Sequence, residues 1–146
     1  LVIKLRANGV NARSAIYNLK PGMDLPQWMT DEIFYADKVL LICDKYYVLK
    51  SDARQGGVGW ETMLIQGDML MQNAYSNKYI AIVKEDTQTD ISVIDRSVPL
   101  FMKSKYYIKW KETDEQFDEL LGLIFDIDQE PKLGNIPLSI RKALKS

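Results

Sequence analysis

Apolar positions along the chain fall into two kinds of pattern. Three short continuous runs, Val39 to Cys43, Tyr79 to Val83 and Tyr106 to Ile108 with its flanks, have the length and composition of buried strands. The first two are unbroken rather than alternating, which is the signature of parallel strands covered on both faces. A weaker strand candidate runs from Val10 to Tyr17. Between these runs the spacing becomes helical. Pro26 to Ala36 opens with a proline near the first helical position, behind Asp24, and lines up Met29, Ile33 and Ala36. Trp60 to Gln72 places Trp60, Leu64, Gly67 and Met71 on one stripe. Glu115 to Asp126 carries Phe117, Leu120, Leu121, Ile124 and Phe125 at i, i+3, i+4, i+7 and i+8, and Thr113 with Gln116 forms a candidate capping box ahead of it.

Strand and helix alternate with short connections, so the pattern predicts an α/β fold: a flavodoxin-like, doubly wound, mostly parallel sheet flanked by helices. Glu85 to Pro99 is polar and aperiodic and reads as a loop with at most a short helix. Leu1 to Asn8 reads as the end of a helix capped by Gly9. A doubly wound domain starts with a strand before that helix, and here that first strand is expected to be missing. Beyond Pro131 only a small amphipathic piece, Ile136 to Leu144, remains. The expected layout is one domain over residues 1–130 and a C-terminal appendage over 131–146.

Composition narrows the chemistry. The 146 residues are 47% hydrophobic and 27% charged with a formal net charge of -1, so neither nucleic acid nor an anionic membrane is an expected partner. No apolar run approaches the ~18 residues of a membrane helix, and no signal peptide is visible. The single cysteine, Cys43, sits inside an apolar run; it reads as a buried small hydrophobe in a protein of the reducing cytoplasm. Histidine is absent, which removes Ser-His-Asp and Cys-His catalysis and His-ligated metals. Chemistry must run on carboxylates, hydroxyls, lysine or backbone dipoles, and no metal site is expected.

Three stretches carry a family resemblance. Residues 19–29, Leu-Lys-Pro-Gly-Met-Asp-Leu-Pro-Gln-Trp-Met, resemble the BB loop of Toll/interleukin-1 receptor (TIR) domains. Ala36-Asp37-Lys38 followed by Val39 to Cys43 is similar to the family's third strand with its acidic lead-in. Lys45-Tyr46-Tyr47 and Gly56-Gly57-Val58-Gly59-Trp60-Glu61 resemble the loop and helix start where the family keeps its catalytic glutamate. The bacterial TIR domains, with the SEFIR subfamily close by, are the nearest pattern. Where many bacterial members have a tryptophan four residues before the glutamate, this chain has Gly57, and its tryptophan, Trp60, is adjacent to Glu61.

The resemblance implies cleavage of NAD+ at the nicotinamide–ribose bond, with NAD+ as substrate and no further cofactor. The products would be nicotinamide and ADP-ribose or a cyclic form, in defence or cell-death signalling. Glu61 is the expected catalytic carboxylate. Asp44, Tyr46, Tyr47, Gly57 and Trp60 are the expected substrate contacts, and Lys20, Pro21, Gly22, Met23 and Asp24 form the expected loop for assembly with other TIR domains into an oligomer or filament. Each residue also has a plainer reading: Glu61 as a first-turn glutamate favoured by the helix dipole, Gly56 to Gly59 as a flexible helix entry, Trp60 as core, the 20–24 turn as a connector. Two rivals remain. One is a non-catalytic TIR scaffold that mediates homotypic assembly. The other is a receiver or nucleotide-sensing module using Asp44 at the end of its strand.

Overall fold

The computed structural model describes residues 1–44, 56–84, 99, 102, 107–128 and 130–146, with the side chains of 56–58 and 60 excepted. Strands β1 (Val39–Cys43), β2 (Tyr79–Lys84) and β3 (Ile108–Trp110) pair in parallel in that order, with Val39 opposite Tyr79 and Ile82 opposite Ile108. The first two lie where the apolar runs predict them. The third begins at Ile108, so the strand is formed by the C-terminal flank of its predicted run.

Because strand side chains alternate between faces, the sheet supports two cores. Val39, Leu41 and Cys43 of β1 and Tyr79, Ala81 and Val83 of β2 face one side, with Ile33, Ile65 and Met102. Leu40, Ile80, Ile82, Ile108 and Trp110 face the other, where Leu5, Phe117 and Leu120 cover them. Helices α3 (Leu25–Tyr35) and α4 (Gly56–Met71) therefore pack on one face. Helices α1 (Val2–Ala7) and α5 (Asp114–Ile124) pack on the opposite face. This is the doubly wound α/β arrangement. It also explains the unbroken hydrophobic strands, since β2 is buried on both sides from Tyr79 to Val83.

Local chemistry starts and stops these helices. The Asp24 carboxylate accepts from the Gln27 backbone N–H at 2.8 Å, with Pro26 in the first turn of α3. The α1 helix ends at Asn8, and Gly9 follows at φ +85°, as the C-terminal glycine reading expects. The capping box at α5 is half made. Thr113 Oγ1 accepts from the Gln116 N–H at 3.2 Å, but the Gln116 side chain turns to Glu119 rather than back to the cap.

Two expectations fail. Val10 to Tyr17 is not a strand: residues 10–14 are irregular and Ala15–Asn18 forms the short helix α2. Val10 and Ala12 still send side chains into the second core, so the alternation is present without a ladder. The Ser14 N–H donates instead to Asn18 Oδ1 at 2.9 Å, a local bond that competes with strand pairing. On α4 the buried stripe is Gly59, Thr62, Ile65 and Asp68, with Met69 partly buried. Of the predicted stripe, Leu64 is half-buried, Gly67 is exposed and Met71 is 80% exposed. A polar anchor at Asp68 turns the helix, and hydrophobicity alone misses it.

Candidate functional site

The Asp68 anchor sets the direction of α4. Asp68 is 4% exposed, and its carboxylate accepts from Lys78 Nζ at 2.6 Å and from the Tyr79 hydroxyl. Burial alone would raise the Asp68 carboxyl. The hydrogen bonds from Lys78 and Tyr79, with the Lys78 charge, outweigh it and hold the group below the ordinary carboxylate range. Burial, followed by the bond donated to Asp68, pushes the Tyr79 hydroxyl up. Tyr79 opens β2 and Lys78 immediately precedes it, so the C-terminal half of α4 is pinned to the amino end of the sheet. The residue types of Asp68, Lys78 and Tyr79 carry no motif; the one sequence signal is a lone carboxylate within the apolar stretch Met63 to Met71.

Glu61 lies seven residues before Asp68 on the same side of the helix, which at ~1.5 Å per residue places it roughly 10 Å nearer the carboxyl end of the sheet. It is half-buried. Because α4 starts at Gly56, Glu61 stands in the second turn rather than the first, where the dipole contributes little. The plain dipole reading of this glutamate is thereby weakened. Gly56 to Gly59, read as a flexible entry, are the first turn of the helix itself. Such a turn directs backbone N–H groups outward, which suits an anion or a ribose.

Asp44 follows β1 directly and is exposed, at the same carboxyl end. Glu61 and Asp44 thus share the end of the sheet where open α/β folds bind ligands. Of the other predicted contacts, Tyr46 and Tyr47 lie outside the described residues. Gly57 sits in the first turn of α4, and the Trp60 side chain lies outside the description. Glu85 to Val98, predicted as a loop, lies outside it too, whereas Pro99 is buried. Cys43 is 1% exposed, and burial, reinforced by the Asp44 charge, pushes its thiol up to about 12. It is a packed hydrophobe and not a nucleophile.

The predicted assembly loop is a shaped turn. Met23 N–H donates to the Lys20 carbonyl at 3.1 Å and Gly22 has φ +92°, the geometry of a Pro-Gly turn. Lys20, Pro21, Gly22, Met23 and Asp24 are all exposed, Met23 by 47%. Behind the turn, Arg13 grips Glu32 of α3 through Nε and Nη2 at 2.7–2.9 Å. A groove of about 280 Å³ lies elsewhere, lined by Val2, Ile3, Arg6, Ala12, Tyr17 and Asn18. Among the described residues no cluster of three metal-ligating side chains occurs, and no helix is long and apolar enough to cross a membrane.

A three-stranded parallel sheet flanked by helices on both faces is the architecture of a TIR-like α/β domain. Comparison with solved structures is more particular. The chain is 32% identical to a prokaryotic SEFIR domain, over 94% of this chain and 84% of that one, with a TM-score of 0.62. It belongs to the SEFIR family of TIR-like domains. Neither a scan of family models nor a search of curated proteins found a match.

Proposed function

We propose that this chain is an assembly module that binds other TIR-like domains, copies of itself included, through the turn at residues 20–24. The observation that carries the reading is the exposed Lys20 to Asp24 turn of a SEFIR domain, held by Gly22 at φ +92° and by the Asp24 cap on α3. It presents Met23 and Leu25, 47% and 45% exposed, on a pre-shaped backbone, so little ordering entropy opposes docking. Sedimentation over a concentration series tests this. Met23→Asp is expected to weaken self-association by roughly tenfold or more, the cost of burying a charge at a contact. An unchanged association constant overturns the role of the turn.

A second reading rests on Glu61, half-buried on the side of α4 that faces the ligand end of the sheet. There a carboxylate suits cleavage of NAD+. The bond from the ribose anomeric carbon to nicotinamide breaks with both electrons leaving on the nicotinamide nitrogen. The cationic leaving group departs neutral, and the carboxylate stabilises the positive charge that develops on the ribose. Water then adds to give ADP-ribose and a proton, or an adenine nitrogen adds to give a cyclic product. Asp44, Tyr46, Tyr47, Gly57 and Trp60 are the contacts this reading assigns to the substrate, and a switch in defence or cell-death signalling is the role that goes with it. Nicotinamide release at high protein concentration is the test. Loss in Glu61→Ala alone supports the enzyme, equal release removes Glu61, and no release in either leaves the assembly module.

A further inference from the structure

The chain is electrically divided. Residues 131–146 contain Lys132, Arg141, Lys142 and Lys145 and no acidic residue, a net charge of +4. With nineteen basic and twenty acidic residues in all, the first 130 residues hold fifteen basic and all twenty acidic ones, a net charge of -5. The acid is itself concentrated. Between Lys111 and Glu130 eight carboxylates stand against one basic residue. Glu112, Asp114, Glu115, Asp118 and Glu119 are all exposed, and Phe125 and Ile127, just past the end of α5, are 52% and 60% exposed.

The basic segment has no buried residue. Every residue from 131 to 146 is exposed, and neither core contains any of them. It nevertheless forms a helix, α6 (Leu138–Leu144), with Arg141 Nη2 donating to the Ile136 carbonyl at 3.2 Å. Helical spacing puts Ile140, Ala143 and Leu144 on one side and Arg141, Lys142 and Lys145 on the other. Ile140 and Leu144 are 51% and 71% exposed. A two-turn helix with a bare apolar side is marginal in water on its own and calls for a partner surface.

We propose that α6 docks on the acidic α5 surface of a second copy of this chain. Ile140 and Leu144 would cover Phe125 and Ile127 of that copy, while the long stems of Arg141 and Lys142 reach round the helix to Asp118 and Glu119. The match is one of both sign and apolarity, and the chain carries each half of it. An anionic bilayer would match the charge of α6 alone, whereas the α5 surface of a second copy offers exposed carboxylates beside the exposed Phe125 and Ile127, so the second copy is the better-fitting occupant. The contact does not use the turn at 20–24, so it stands or falls independently of assembly through that turn.

The test is sedimentation of the full chain at low and high salt, with wild type, Arg141→Glu with Lys142→Glu, Asp118→Lys with Glu119→Lys, and all four together. Each paired reversal is expected to raise the dissociation constant by about tenfold, and the four together to restore it. Added salt should weaken the wild type. In the Met23→Asp background the association that remains should still weaken with salt and with each paired reversal, which separates this contact from the turn. A monomer at every concentration overturns the proposal, as does association that the tail reversal leaves unmoved or a fourfold variant no tighter than either pair. Binding to phosphatidylserine vesicles that only the tail reversal abolishes, without self-association, overturns it in favour of a membrane.

Discussion

The two ends of the sheet are built on different principles. At the amino ends of the strands, polar networks, one around the buried Asp68 and one at the surface around Asp126, join elements distant in sequence. Asp68 of α4 meets Lys78 and Tyr79 at the start of β2. Lys38 before β1 binds Asn77 Oδ1 at 2.6 Å and Asp126 Oδ1 at 2.8 Å, and Asn77 Nδ2 donates to the same carboxylate oxygen at 2.8 Å. Asp126 sits beyond the end of α5 at φ +53°, a conformation unusual for a residue with a side chain, and the network holds it there. The carboxyl end presents an exposed Asp44, an exposed Lys84 and Ile42 at 41% exposure. One end locks the layers together; the other leaves polar groups toward solvent, as a ligand or partner surface requires.

Substituting a carboxylate at each end tests that contrast. Asp68→Ala strands the Lys78 ammonium, whose side chain is 11% exposed, and removes the Tyr79 acceptor. A loss of about 3–5 kcal/mol is expected in urea unfolding; a loss below about 1 kcal/mol would mean the amino end is not the lock described. Acid should erase part of the same contribution. The Asp68 carboxyl is depressed in the folded chain, so its stabilisation is complete above the unfolded value of about 3.9 and is lost as pH falls through the folded one. The stability gap between wild type and Asp68→Asn should therefore narrow as pH drops below about 4, and a constant gap would assign the effect to packing.

Smaller effects belong to the other end. Thr113→Ala, which removes the cap of α5 just after β3, should cost about 1 kcal/mol by the same unfolding measurement. Asp44→Ala should change stability by less than about 0.5 kcal/mol, since the residue is exposed. A large loss there would place Asp44 in the structural framework rather than at a site.

Much of this architecture is legible in the order of the residues. The apolar runs of β1 and β2 stand out because a strand buried on both faces has no polar alternation to blur it. The Phe117, Leu120 and Ile124 spacing of α5 is equally plain, because that helix has one dry side and one acidic side. Glu61 and the 20–24 turn emerge only through family pattern, since a lone glutamate and a Pro-Gly pair have ordinary explanations. Hydrophobic spacing points to the wrong face of α4 because an aspartate is the residue that turns inward. No count of apolar positions identifies a buried carboxylate whose partners lie ten and eleven residues away.

The sequence by itself determined the α/β class, the helix caps at Asp24 and Thr113, and the segregation of charge between residues 1–130 and 131–146. These depend on local chemistry and composition, which act within a few residues or over the whole chain. Only the tertiary structure decided which side of α4 is buried, that residues 10–14 lack a ladder, and that Glu61 and Asp44 share an end of the sheet. Those outcomes depend on which distant partner each group finds, and burial in a packed interior sets that pairing.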